Sequence, residues 1–359
     1  MGMSSKKYNI MWVFYLYATT YCIAYFYLNP NKNRISYFAM DIIEYTEDKK
    51  VEWEQFLDNS NNGTLFSSQD FFAYHPANRF KNRHLMFYKR NKLVSLFPSA
   101  EYDRNGKRFL VSHPGASFGG FVSRTKTGVE EALELVKSLI KYARQNNYEG
   151  IEITRPPWVY YEFPEDHIDF ALFKAGAIHR KRELTAVVPI YENIDENLKL
   201  LRPTARTSMR KAIKKGVEIS QSDDIESFYH ILEKNLSLRH NVEPTHSLEE
   251  LYRLQELIGD RIKLFSAFHQ DNMIAGTLLF ICNTRTVLAF YISQDYEHQK
   301  LRPLNLLFVE IFRWCSDNGF RWLDFGTYTL NNVPNLGLAR FKESLGAKGI
   351  FRDTLTFTF

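Results

Sequence analysis

Ala132–Ile153 reads ALELVKSLIKYARQNNYEGIEI and Leu304–Phe325 reads LNLLFVEIFRWCSDNGFRWLDF. Laid on each other without a gap, Leu135, Val136, Leu139, Ile140 and Ala143 fall on Leu307, Phe308, Ile311, Phe312 and Cys315. Apolar spacing near 3.6 makes each stretch an amphipathic helix. Both helices end at Asn or Gly, and the strand that follows carries one acid, Glu152 or Asp324. A hairpin-like pair of strands precedes each helix. Hairpin, helix and strand recurring in that order read as two copies of one fold, joined near Pro189–Leu201. The rival is a pair of unrelated α/β domains.

Working outward, β-rich runs are expected at His84–Tyr88, Leu93–Phe97, Phe109–Ser112, Gly150–Thr154, Glu183–Pro189, Ile262–His269, Met273–Cys282 and Thr286–Ile292. Helical spacing is expected over Val51–Asn59, Gly128–Asn146, Thr204–Lys215, Ile225–Arg239, Ser247–Ile258 and Leu304–Asn318. Strands alternating with helices give an α/β (α+β) class. The chain divides into a hydrophobic leader (1–39), a first domain (40–189), a second domain (190–345) and a C-terminal segment (346–359).

Over 359 residues, 45% hydrophobic and 24% charged side chains exclude a disordered or fibrous protein. Three cysteines build no disulfide framework and fit a reducing compartment. A net charge of +5 is too mild to announce nucleic-acid binding by the whole chain. Tyr8–Leu28 holds no charged side chain and has the roughly 20-residue length of a membrane span. Its six tyrosines make partition marginal. It is read either as a membrane anchor or as a leader upstream of a true start at Met40, with the second reading slightly favoured.

Leu201–Gly216 (LRPTARTSMRKAIKKG) starts a helix at Pro203 and stops it at Gly216. Ala205, Met209, Ala212 and Ile213 form its expected buried stripe. Arg202, Arg206, Arg210 and Lys214 recur every four residues with Lys211 alongside, and no acid at i+4 neutralises them. An anion would relieve that repulsion, and Arg forks suit phosphate. The plain alternative is a solvated basic face. Ile292–Leu304 enters a helix at Pro303, whose free N–H groups suit an oxygen acceptor, but it lacks a glycine-rich turn. Ser112–Gly120 carries glycines that either line a cleft or build a turn. His240, Glu243 and His246 lack a third firm ligand, so a polar loop is preferred and no metal is expected.

Several motifs together resemble the FemABX family within the GNAT N-acyltransferase superfamily. They are Glu52-Trp53, Gly63-Thr64-Leu65-Phe66, Phe118-Gly119-Gly120, Arg206…Met209-Arg210-Lys211-Ala212…Gly216-Val217, Pro303…Asn305-Leu306-Leu307, Asp324-Phe325-Gly326 and Gly337-Leu338…Arg340-Phe341-Lys342…Leu345-Gly346. The resemblance implies two tandem GNAT-like domains, each a mixed, mostly antiparallel sheet flanked by helices, with the C-terminal segment 346–359 returning to pack on the first. It implies transfer of an acyl or aminoacyl group to a primary amine of a peptidoglycan precursor or amino sugar. The co-substrate is then aminoacyl-tRNA, with acyl-CoA as the alternative, and the place is the cytoplasm or the inner face of the membrane. Lys342 is the implied oxyanion stabiliser and Phe341 its partner near the donor. Asp324 is the candidate for orienting the amine. Arg206, Arg210, Lys211, Tyr291, Asn305, Phe118 and Gly119 complete the candidate substrate contacts. Two departures stand out. The chain has no long helical arm, and no lysine lies between Gln69 and Phe80, where some members bind the precursor's phosphates. A catalytically silent anion-binding module is the reading from a different class.

Overall fold

A computed structural model describes residues 40–240 and 243–359, and Met40–Phe359 form one unit. The strands of four or more residues are β1 (Asp41–Glu44), β2 (Leu85–Lys89), β3 (Lys92–Phe97), β4 (Ala100–Arg104), β5 (Lys107–Ser112), β6 (Gly150–Thr154) and β7 (Ile178–Pro189). They continue with β8 (Glu218–Ser222), β9 (Ile262–His269), β10 (Asn272–Ile281), β11 (Thr286–Gln294), β12 (Trp322–Thr327) and β13 (Lys348–Thr358). Helices of eight or more residues are α1 (Lys50–Asp58), α2 (Val129–Gln145), α3 (His167–Lys174), α4 (Pro203–Lys214), α5 (Ile225–His240), α6 (Leu248–Ile258), α7 (Pro303–Asp317) and α8 (Leu336–Ser344).

The repeat survives in three dimensions. β4 and β5 form a hairpin, α2 follows, and β6 returns parallel to β5. β10 and β11 form a hairpin, α7 follows, and β12 returns parallel to β11. Leu135, Val136, Leu139 and Ala143 bury against Ile151 and Ile153. Leu307, Phe308, Ile311, Phe312 and Cys315 bury against Leu323 and Phe325. Each Leu, Val, Ile or Phe so buried contributes about 1.5–3 kcal/mol, which fixes the rotation of each helix on its sheet.

The two copies share one sheet of 11 strands, in the order β8-β9-β10-β11-β12-β7-β13-β6-β5-β4 and a short edge strand at Lys81–Asn82. β7, which ends the first copy, pairs antiparallel with β12 of the second. β13, which ends the second, runs antiparallel between β7 and β6. Side-chain bonds cross the same seam: Asn283 Nδ2 donates to the carbonyls of Gly63 and Tyr160 at 3.1 and 2.9 Å, and Thr286 Oγ1 to that of Val159 at 2.7 Å. The fold is thus mixed α/β, with mixed sheets flanked by helices. β1, β2, β3 and Val122–Ser123 form a separate four-stranded sheet. One expected burial fails. Ile213 is 57% exposed, because only the Ala205 and Ala212 side of α4 meets α7 and its neighbours.

Because Ile311 lies fully buried between α7 and the sheet, Ile311→Ala should lower unfolding free energy by about 2–5 kcal/mol in urea titration. The exposed Ile213→Ala should change it by less than about 0.5 kcal/mol.

Candidate functional site

β11 and β12 pair only through Thr286–Leu288 and Trp322–Asp324, so the two parallel strands part after Asp324. Gly326, at φ +73°, turns the chain there, and the β12–β7 ladder is interrupted between Asp324 and Thr327. Peptide carbonyls freed from the ladder at this break need a donor. Lys342, reaching in from α8, supplies it: Nζ donates to the carbonyls of Gly326 and Thr327, both at 2.9 Å. An ammonium has three N–H bonds, so one remains without a partner among the described residues.

Asp324 lies beneath, 2% exposed. Tyr160 donates to Oδ2 at 2.8 Å, while Oδ1 accepts from Thr185 Oγ1 and from the Gly326 N–H at 2.7 Å. Burial raises this carboxyl above its usual range, while Thr185, Tyr160, Gly326 and the charge of Lys342 pull the other way. Burial lowers Lys342 to about 8; Asp324 opposes the drop and Arg352 adds to it. The result is a desolvated cation, 3% exposed, that is still mostly protonated at neutral pH. A single N–H donor in a low-dielectric setting suits charge that develops on an oxygen.

The strand-borne acid of the first copy has no such setting. Glu152 accepts from Arg104 at 2.8 Å and from Arg180, an internal ion pair. The duplication therefore placed a lysine-facing acid in one half only.

The other candidates divide. Phe341 sits on α8 next to Lys342, half-buried, with its ring 6.2 Å from Phe308. Arg206, Arg210 and Lys211 all lie on α4, which is tied to α8 by Arg202: its N–H donates to Ser344 O at 2.9 Å and its guanidinium to Glu343 at 2.8 Å. Arg210 and Lys211 are exposed and have no ion pair among the described residues; Arg206 is half-buried with its Nε unpartnered. Asn305 is in the first turn of α7, half-buried. Phe118 is core, its ring 4.7 Å from Tyr160 and 5.0 Å from Phe66. Gly119 donates its N–H to Thr154 O at 2.7 Å, closing the gap after β6.

Tyr291 belongs to another cluster. Its hydroxyl accepts the His246 N–H at 3.1 Å and meets His246 Nδ1 at 2.9 Å, while Tyr74 meets Nε2 at 2.9 Å. Both ring nitrogens of His246 are thus occupied by phenols rather than offered to a metal. Tyr74 and His75 stand in the segment where the family resemblance looks for a phosphate-binding lysine. Neighbouring His75 and His113 rings stack at 5.8 Å, and His84 and His113 at 5.5 Å. No motif marked Tyr160, Thr185 or Arg352, which reach Asp324 or its surroundings only through the strand arrangement.

The family profile "Acetyltransferase (GNAT) domain" matches residues 201–343, the stretch from α4 to Lys342. Residues 201–343 are a GNAT domain. By that family the chain is an acyltransferase. The crystal structure of FemX, 14% identical, superposes with a TM-score of 0.69 over 89% of this chain and 97% of that one. The C-terminal domain of a putative lysylphosphatidylglycerol synthetase from Agrobacterium fabrum, 12% identical, gives 0.54 over 87% and 92%. A tandem GNAT protein from the clavulanic acid biosynthesis pathway, 10% identical, gives 0.52 over 89% and 98%. These likenesses establish the GNAT fold across both halves. No curated protein matches the sequence significantly. Among the described residues no helix is long and apolar enough to cross a membrane, and Tyr8–Leu28 lies outside them.

Burial holds His75 and His246 down to about 4 and His84 to about 3, with His113 well below the usual 6.5. The unfolded chain binds protons at these sites that the native chain refuses. Stability present above about pH 6.5 should fall by on the order of a few kcal/mol as pH drops toward about 4, read as the urea midpoint at each pH.

Proposed function

We propose that the chain transfers an acyl or aminoacyl group to a primary amine on a cell-envelope acceptor, either a peptidoglycan-precursor peptide or an amino sugar. The observation that carries this reading is Lys342, a buried cation with two N–H bonds fixed on carbonyls and one left for a reacting oxygen. The amine nitrogen attacks the donor's carbonyl carbon, and the carbonyl oxygen gains charge as the tetrahedral intermediate forms. Lys342 Nζ donates to that oxyanion. Collapse re-forms the C=O, expels the donor's alcohol or thiol, and the proton lost by the amine goes to the leaving group. Asp324, buried with both oxygens hydrogen-bonded inside the protein, acts in this reading as a positioning residue: it anchors the charge of Lys342 and the turn at Gly326.

The donor is an anion, and the unpaired cations Arg206, Arg210 and Lys211 on α4 support phosphate contact close to α8. Aminoacyl-tRNA is the preferred donor, which puts the reaction in the cytoplasm. Gln294–Arg302 contains no glycine and is folded into a 3-10 turn, so its backbone offers no open cradle to a pyrophosphate. The GNAT profile itself favours acyl-CoA as the second reading. Offering charged tRNA and acetyl-CoA separately, with mass spectrometry of acceptor amines, separates the two. Phosphate binding with transfer from neither donor would leave the silent anion-binding module.

Lys342→Met should cut kcat by roughly 10²–10³-fold. It leaves two carbonyls without a donor, a cost of about 1–3 kcal/mol that thermal melting will register without loss of the fold. Unchanged turnover removes Lys342 from the mechanism. In the wild type, kcat should fall as pH rises through about 8, where the ammonium loses its proton. Arg210→Ala with Lys211→Ala should raise the donor's KM and flatten its salt dependence while kcat holds.

A further inference from the structure

Arg352 stands on β13 opposite Glu183 of β7, as Ile350 stands opposite Thr185. Side chains two apart on a strand share a face. Arg352 therefore rises from the side of the sheet on which Thr185 Oγ1 meets Asp324. Thr185 pairs in turn with Thr327, whose carbonyl holds Lys342. On the other flank of Arg352, β6 has ended at Thr154, and the chain runs on to Tyr160, a second donor to Asp324. Burial lowers the Arg352 guanidinium below its usual range, with Asp324, Tyr160 and Glu183 opposing the drop.

Arg352 differs from the arginines around it in having no partner. Arg182 reaches both oxygens of Asp353, at 3.1 and 3.2 Å. Arg155 meets Asp169, and Arg104 and Arg180 meet Glu152. Arg352 makes no ion pair or hydrogen bond with a described residue, and its Nε is buried without an acceptor. Glu183, across the ladder, is engaged elsewhere: its oxygens accept from Thr329 Oγ1 at 2.6 Å and from the Asn332 N–H at 3.4 Å. Both oxygens of Asp324 are held by Tyr160, Thr185 and Gly326. A guanidinium withdrawn from water without an acceptor is costly, and an anion brought by a substrate removes that cost.

The fork of a single arginine matches the two oxygens of a carboxylate. A pyrophosphate calls for several cations, and such a cluster is Arg206, Arg210 and Lys211 on α4. Arg352 belongs instead to the strand that lies between β7 and β6. With the donor's phosphates at α4, the carboxylate is the acceptor's.

We infer that Arg352 holds a free carboxylate of the amine acceptor, which is then an amino acid, alone or as a peptide residue with its carboxylate uncapped, and not an amino sugar. The word acceptor rests on the acyl-transfer reading; carboxylate binding does not, and it is tested without catalysis. The full chain is titrated calorimetrically with ω-amino acids from glycine upward, with the matching carboxamides, and with glucosamine. At the best-fitting length the acid should bind about tenfold or more tighter than its amide. Arg352→Gln should abolish that preference, whereas Arg352→Lys, which keeps a cation, should leave the acid ahead. A merely structural arginine would weaken acid and amide alike. Lys342→Met should retain the preference, so failure of transfer and failure of carboxylate binding are read separately. Acid and amide binding equally to the wild type overturn the inference, and that comparison needs no variant. So does a preference that survives Arg352→Gln or vanishes in Lys342→Met, or glucosamine binding as tightly as the best acid.

Discussion

Everything at the candidate site depends on the exchange of terminal strands between the two copies. β7 leaves the first copy to pair with β12, and β13 returns from the second to lie between β7 and β6. These ladders satisfy backbone groups that neither copy could pair alone. They also carry Thr185 on β7 to Asp324 on β12 and set Arg352 of β13 nearby. Without the exchange, the buried carboxyl would lose Thr185 as a hydrogen-bond donor, and a buried acid short of donors is costly.

Within that shared sheet the copies have diverged by changing what each strand-borne acid meets. Glu152 meets two arginines, and the charges cancel. Asp324 meets hydroxyls, a backbone N–H and a lysine that is itself fastened to carbonyls. The first arrangement is closed. The second leaves one Lys342 N–H without a partner among the described residues, at the point where β11 and β12 separate. The helices between strands diverged in parallel: α8 turns Lys342 inward, whereas α3 turns Phe170 and Phe173 to water. Among the described residues, Arg210 and Lys211 on α4 have no ion pair, whereas Arg155 and Arg182 near α3 are paired with Asp169 and Asp353.

Much of this was legible in the chain's own residues. The apolar registers of Leu135–Ala143 and Leu307–Cys315 gave two helices and, with the strands after them, the duplication. Long strands such as Ile262–His269 were plain because apolar runs bounded by polar turns have few other uses. Shorter pieces were not. β8 and α3 have mixed composition and are held by neighbours rather than by pattern. Ile213 looked buried by spacing, yet a stripe does not say how wide the partner surface is. Phe118 and Gly119 stood in a motif, but Phe118 packs as core and Gly119 seals a gap between strands.

The sequence alone determined the periodicities, the repeat, the unneutralised basic helix and the presence of Lys342 behind a strand-borne acid, because each is a property of neighbours along the chain. Tertiary structure decided which acid lies buried beside the lysine, since that depends on Tyr160 and Thr185, which lie far from Asp324 in sequence. It also decided how β13 meets the first copy, inserted antiparallel between β6 and β7. Hydrogen bonding and desolvation act across space, and no local spacing encodes them.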